Sequence, residues 1–186
     1  MMTGIVLLAI SNLLNSTDPA KKSQNQKINA IGIYLDSPNY DQAAFALLEQ
    51  AEEVMEQAFP GMPWEAIDSA SSKVKTLPSP LPVLAKLTAP KPDSQAILLA
   101  QSIGSTFAKS HILLIHRGGT RAERDSSKSF SDRSSFSLVE CGTGHTVFLQ
   151  EFQATGQRGK LSAESAWAKD AWSLFLKSWK ARPAEK

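Results

Sequence analysis

The chain has 186 residues, of which 42% are hydrophobic and 20% are charged, and its formal net charge is +2. This length suits a single domain with a substantial core, and the composition excludes a disordered protein or a coiled coil. The small net charge disfavours a nucleic-acid-binding protein, and the single cysteine excludes an internal disulfide and a cysteine-only zinc site.

Residues 1–27 combine an apolar segment with a polar linker. The apolar run from Ile5 to Leu14 is shorter than the roughly 20 residues that a membrane-spanning helix needs. It is typical of the apolar part of a secretory signal, although no positive residues precede it and no clear cleavage site follows it. Two interpretations stay open: a signal remnant, which would allow membrane association through the N-terminus, or a short amphipathic helix or strand of the mature protein.

The first half of the remaining chain predicts a strand and then a helix. Residues 28–36, INAIGIYLD, alternate apolar side chains in the manner of a strand. Helical spacing of apolar residues predicts a helix over 41–59, which the following Pro-Gly pair ends. Five prolines between 78 and 92 remove backbone donors. We therefore expect an extended surface segment or flexible loop there, preceded at most by a short edge strand over 73–77.

The second half predicts a helix from Asp93, a strand, a hairpin and a last helix. The segment HILLIHR, 111–117, is a continuous apolar run that suits a strand covered on both faces. SFSLVEC and HTVFLQEF alternate around the turn GTG. Residues 162–181 place their apolar and Trp side chains on one broad helical stripe.

These elements predict an α+β fold over 28–181. The expected architecture is a single-domain sandwich in which a mixed sheet of about four to five strands packs against two to three helices. It ends in the β-hairpin and the C-terminal amphipathic helix, which a basic tail over 182–186 follows.

Cys141 and His145 flank the predicted turn and are the weak candidates for catalysis. The turn alone would bring them together, since residues facing each other across a hairpin have Cβ atoms about 5 Å apart. A catalytic thiol also needs a lowered pKa and an oriented base, and the neighbouring Glu140 should point to the opposite face of the strand. His111 and His116 should likewise lie on opposite faces, so no metal site is expected.

The polar, serine-rich segment 117–133, the arginine loop, is predicted to be mobile. Its basic residues are the candidates for binding a partner: Arg117, Arg121, Arg124, Lys128 and Arg133. Acidic residues are interleaved with them, so a solvated loop with compensated charge is the simpler interpretation. The exposed side of the last helix and the tail are also basic, through Lys169, Lys177, Lys180, Arg182 and Lys186.

The carboxyl-terminal half resembles bacterial envelope proteins of the TolB amino-terminal, curli-secretion and penicillin-binding-protein-activator type. The likeness lies in FAKSHILLIHR, a long loop, FSLVECGTGHTVFLQEFQATG and a final helix. The matching positions are Leu138, Val139, Thr143, Gly144, Val147, Leu149 and Phe152. Cys141 stands where these families usually have an aspartate or a similar residue. The resemblance implies a non-enzymatic periplasmic or outer-membrane-associated module that docks other envelope proteins and has no catalytic residues.

We therefore expect a non-catalytic interaction or assembly module of the periplasm or cell envelope. Its partners would be other envelope proteins, and no cofactor or metal is expected. The arginine loop and the Pro-rich segment 78–92 are the surfaces expected to bind, because long loops often carry recognition. Two alternatives stay open: a small enzyme using Cys141, His145 and His111, and a cytoplasmic anion- or nucleic-acid-binding protein using the arginine loop.

Overall fold

The computed structural model describes residues 8–10, 27–36, 42–89, 91–118, 129–157 and 161–182. Six strands form one mixed sheet: β1 (Leu8–Ile10), β2 (Ile31–Asp36), β3 (Trp64–Ala66), β4 (His111–Gly118), β5 (Ser129–Glu140) and β6 (Thr146–Gln157). Their spatial order is β1-β6-β5-β4-β2-β3. β2 pairs in parallel with β3 and β4, whereas β4, β5, β6 and β1 pair antiparallel.

Four α-helices cover the sheet: α1 (Gln42–Glu49), α2 (Ala51–Ala58), α3 (Ser94–Phe107) and α4 (Leu161–Lys180). The prediction of a single helix over 41–59 is wrong in one detail, because the structure interrupts that helix at Gln50. There the backbone nitrogen of Val54 lies 3.4 Å from the carbonyl oxygen of Gln50, longer than an ordinary helical hydrogen bond. The predicted α+β class and its mixed sheet are confirmed. No helix among the described residues has both the length and the apolar character needed to cross a bilayer.

The sheet has a hydrophobic core on each face. Strand β4 shows this best, since Leu113 and Ile115 pack into the core under α1, α2 and α4. Ile112 and Leu114, which alternate with them, pack into the core under α3. The predicted strand covered on both faces is therefore confirmed, and β4 is the central element of the sandwich.

Helix α4 is held to its neighbours by tryptophans that combine apolar burial with a hydrogen bond. Trp172 is 1% exposed, and its Nε1–H donates to the carbonyl of Leu47 at 2.9 Å. Trp179 donates in the same way to the carbonyl of Ala58 at 3.1 Å. These bonds satisfy the indole N–H groups inside the core, so α4 is fixed to both α1 and α2.

The Pro-rich segment differs most from its prediction. Residues 81–88 form a 3₁₀ helix, Leu81–Thr88, and a second one spans Val74–Thr76. The spacing explains the difference: a 3₁₀ helix has three residues per turn, so Leu81, Leu84 and Leu87 share one face. All three are buried in the core under α3. The segment is thus a packed element and no flexible loop, and the short edge strand is Trp64–Ala66 rather than 73–77.

We predict that Leu84→Ala lowers the free energy of unfolding by about 2–5 kcal/mol, as expected for a fully buried leucine. Denaturant unfolding followed by circular dichroism measures this change. Lys86→Ala is the matched control, because the Lys86 side chain on the same 3₁₀ helix is 55% exposed and its ion pair with Asp93 is on the surface. Equal effects of the two substitutions would contradict the packed position of this helix.

Candidate functional site at the hairpin turn and the neighbouring helix

The turn between β5 and β6 begins one residue earlier than the sequence predicts, at Cys141 instead of Gly142. The backbone N–H of Glu140 donates to the carbonyl of His145 at 2.9 Å, and the N–H of Gly144 donates to the carbonyl of Glu140 at 2.8 Å. The residues that face each other are therefore Glu140 and His145, and Cys141 begins the turn. Gly144 has a φ of 69°, which explains why glycine stands there.

The turn separates the thiol from the imidazole. Cys141 is 3% exposed and belongs to the core under α3, whereas His145 is exposed. Burial, with a smaller contribution from the charge of Glu140, raises the pKa of the Cys141 thiol to about 12. A thiol with that pKa is protonated at neutral pH, which is the reverse of what a nucleophile needs.

His111 lies on the other face of the sheet. It shares the face of Leu113, since strand residues two apart point the same way. Its Nδ1 is 3.0 Å from the Oγ of Ser110, and burial lowers its pKa while the charge of Glu140 opposes that change. The structure therefore places His111 with Glu140 and apart from Cys141. Among the described residues, no group of three His, Cys, Asp or Glu side chains is placed to bind a metal ion.

A polar pair marks the carboxyl ends of the parallel strands β2 and β4. The Nδ1 of His116 is 2.7 Å from the Oδ2 of Asp36, the residue paired with it across the two strands. This hydrogen bond outweighs the effect of burial and raises the pKa of His116. His116 is on the face opposite to His111, as its odd spacing predicts.

Arg117 is part of β4 and not of a loop. It is 9% exposed, and its guanidinium carbon is 5.2 Å from the centre of the Trp167 ring, a distance typical of a cation–π contact. Arg133 is in β5, opposite Gly118. The connection between β4 and β5 is therefore shorter at both ends than the predicted loop over 117–133, since β4 ends at Gly118 and β5 begins at Ser129. Arg121, Arg124 and Lys128 lie outside the described residues, so binding by them stays a prediction.

The exposed side chains of α3 and of turn residues 142–143 are uncharged, and the patch that they form between Asp93 and His145 is called here the hairpin–helix surface. None of the residues of α3 is charged, and its exposed positions are Ser94, Gln95, Leu98, Gln101 and Ser105. Leu98 is 57% exposed. The turn adds Gly142 and Thr143, which are also exposed.

Two contacts join the turn to α3. The Nε2 of Gln101 donates to the carbonyl of Gly142 at 2.9 Å, and a Cβ on Gly144 would be only 2.9 Å from the Cγ1 of Ile97. The centres of protein interfaces are depleted of charge, and the exposed residues of this surface share that property. Sequence reasoning missed it, although the charge-free run 94–107 is visible in the sequence.

Comparisons with known proteins show that solved structures share this fold. The sequence matches no protein-family model and no curated protein sequence. A PelC dodecamer from Paraburkholderia phytofirmans is similar in structure, with a TM-score of 0.51 and 12% identity, over 96% of this chain and 99% of that chain. The lipoprotein GNA1162 from Neisseria meningitidis aligns with a TM-score of 0.46 and 12% identity, over 83% of this chain and 99% of that chain. The PelC likeness shows a shared fold, and neither match confirms the resemblance to TolB and curli-secretion proteins.

We predict that the Asp36–His116 pair contributes more to the stability of the protein in weak acid than in weak base. Because the folded pKa of His116 is raised, its contribution is complete below the unfolded value of about 6.5 and is lost as the pH rises through the folded value. Denaturant unfolding of the wild type and of Asp36→Asn from pH 5.5 to 8.5 measures this as the difference between the two proteins, because the lowered pKa of His111 acts in the opposite direction in both of them. A difference between the two proteins that is constant across this range would contradict the assignment.

Proposed function

We propose that this chain is a non-catalytic interaction or assembly module of the bacterial envelope, working in the periplasm through contact with other proteins, including copies of itself. The hairpin–helix surface carries the proposal. It presents an exposed leucine on a helix free of charge, and solvated helix faces of soluble domains are ordinarily polar and charged. Helices α2 and α4 follow that ordinary pattern, since Glu52, Glu53 and Lys177 are exposed on them.

The lack of charge on α3, compared with the charged exposed faces of α2 and α4, supports a role of α3 in binding. Leu98 is flanked on α3 by Gln95 and Gln101, and polar uncharged side chains of this kind lose less solvation than ions when they enter an interface. The surface also joins two elements that are fixed to each other by the contacts of Gly144 and Gln101. A rigid surface binds without an ordering cost.

The shared fold supports self-association as part of the proposal. The structural neighbour PelC is a dodecamer, and a fold that builds one oligomer offers surfaces that another sequence could use. The enzyme alternative draws no support from Cys141, because its thiol is buried and has a pKa raised to about 12.

We predict that the protein self-associates in 0.5 M NaCl and that Leu98→Lys reduces this association at least about tenfold, because a lysine ammonium would be buried without a partner. Sedimentation equilibrium measures the mass of each protein. Ser72→Lys is the matched control, since Ser72 is exposed outside the hairpin–helix surface. A monomeric wild-type chain, or a Leu98→Lys variant that associates as the wild type does, would contradict self-association through this surface.

A further inference from the structure

The outer face of the helical layer formed by α1, α2 and α4 is divided into two stripes of opposite charge. The acidic stripe consists of exposed glutamates on α1 and α2: Glu49, Glu52, Glu53 and Glu56. The basic stripe consists of exposed lysines on α4, Lys169, Lys177 and Lys180, and it keeps a net positive charge although the half-buried Asp170 lies on the same side of the helix. Each stripe is on the side of its helix opposite to the core residues, so both face solvent.

The stripes lie side by side because the helices beneath them are packed together. Trp172 and Trp179 of α4 donate hydrogen bonds to carbonyls in α1 and α2. The ion pairs found among the described residues are Lys86–Asp93, Lys109–Glu65 and His116–Asp36. None of these joins the acidic stripe to the basic stripe, so the two rows of charge do not neutralise each other within the chain.

We propose that this helical face binds the same face of a second copy around a twofold axis. A twofold interface brings the same patch of both subunits together and exchanges its two halves. An axis passing between the stripes therefore places the acidic stripe of one copy on the basic stripe of the other, twice. A uniformly acidic or uniformly basic partner would be repelled by one of the two stripes, whereas a second copy carries both of the complementary stripes.

Phe45 adds an apolar contact to this face. It is 57% exposed and precedes Glu49 by one helical turn. Exposed ion pairs are individually weak and are screened by salt, so the association is expected to be modest in affinity and strongest at low ionic strength. This interface is independent of the hairpin–helix surface, which is on the other face of the sheet.

Charge reversal tests the proposal in the Leu98→Lys background, where the hairpin–helix surface is disabled. We expect this protein to form dimers at about 50 mM NaCl and to lose at least about tenfold in association constant at about 500 mM. Reversing the acidic stripe by Glu49→Lys, Glu52→Lys, Glu53→Lys and Glu56→Lys should give monomers at low salt. Reversing the basic stripe by Lys169→Glu, Lys177→Glu and Lys180→Glu should do the same. Sedimentation equilibrium measures the masses, and thermal unfolding followed by circular dichroism verifies that each variant is folded.

Mixing the two reversed proteins provides the matched control. Their stripes are complementary to each other although neither is complementary to itself, so an equimolar mixture should recover dimers at low salt. A chain carrying all seven substitutions should again dimerise alone, because its two stripes have exchanged their charges. Monomers at low salt before any reversal, dimers that survive a single reversal, or a mixture that stays monomeric would each overturn the proposal. None of these results depends on whether Leu98 contributes to the other surface.

Discussion

The close approach of α3 to the hairpin turn determines both the burial of Cys141 and the shape of the hairpin–helix surface. A Cβ at Gly104 would lie 2.7 Å from the Cβ of Cys141 and 3.1 Å from the carbonyl oxygen of Lys109. These distances leave no room for a side chain, so glycine lets the helix lie directly on the turn. The same contact buries the thiol, which makes it unreactive, and places the charge-free face of α3 beside the exposed residues of the turn.

Much of the fold could be predicted from the sequence, because the strongest patterns are local. The alternation of large apolar side chains over 28–36 predicted β2, and the continuous apolar run HILLIHR predicted β4. The stripe of Trp and other apolar side chains over 162–181 predicted α4. The structure of the Pro-rich segment could not be predicted in this way. Its prolines indicated an extended segment, whereas the three-residue spacing of its leucines fits a 3₁₀ helix. The residues that surround Cys141 could not be predicted either, because a shift of one residue in a turn changes which side chains face each other.

The two faces of the sandwich present surfaces of different chemistry. The α3 side offers Leu98 among uncharged polar residues, whereas the α1, α2 and α4 side offers rows of glutamate and lysine. Apolar burial is little affected by moderate salt, but exposed ion pairs are screened by it. A protein with both surfaces could form one contact that persists at high ionic strength and another that ionic strength regulates.

The rate of thiol labelling in the folded protein tests the central contact most directly. Cys141 of the wild-type chain should react with a thiol reagent at pH 8 far more slowly than in denaturant, because it is buried and its pKa is raised to about 12. Gly104→Ala adds a methyl group that must push α3 from the turn, so it should raise this rate at least about tenfold. Wild-type labelling as fast as in the unfolded chain, or a Gly104→Ala variant with an unchanged rate, would contradict the account.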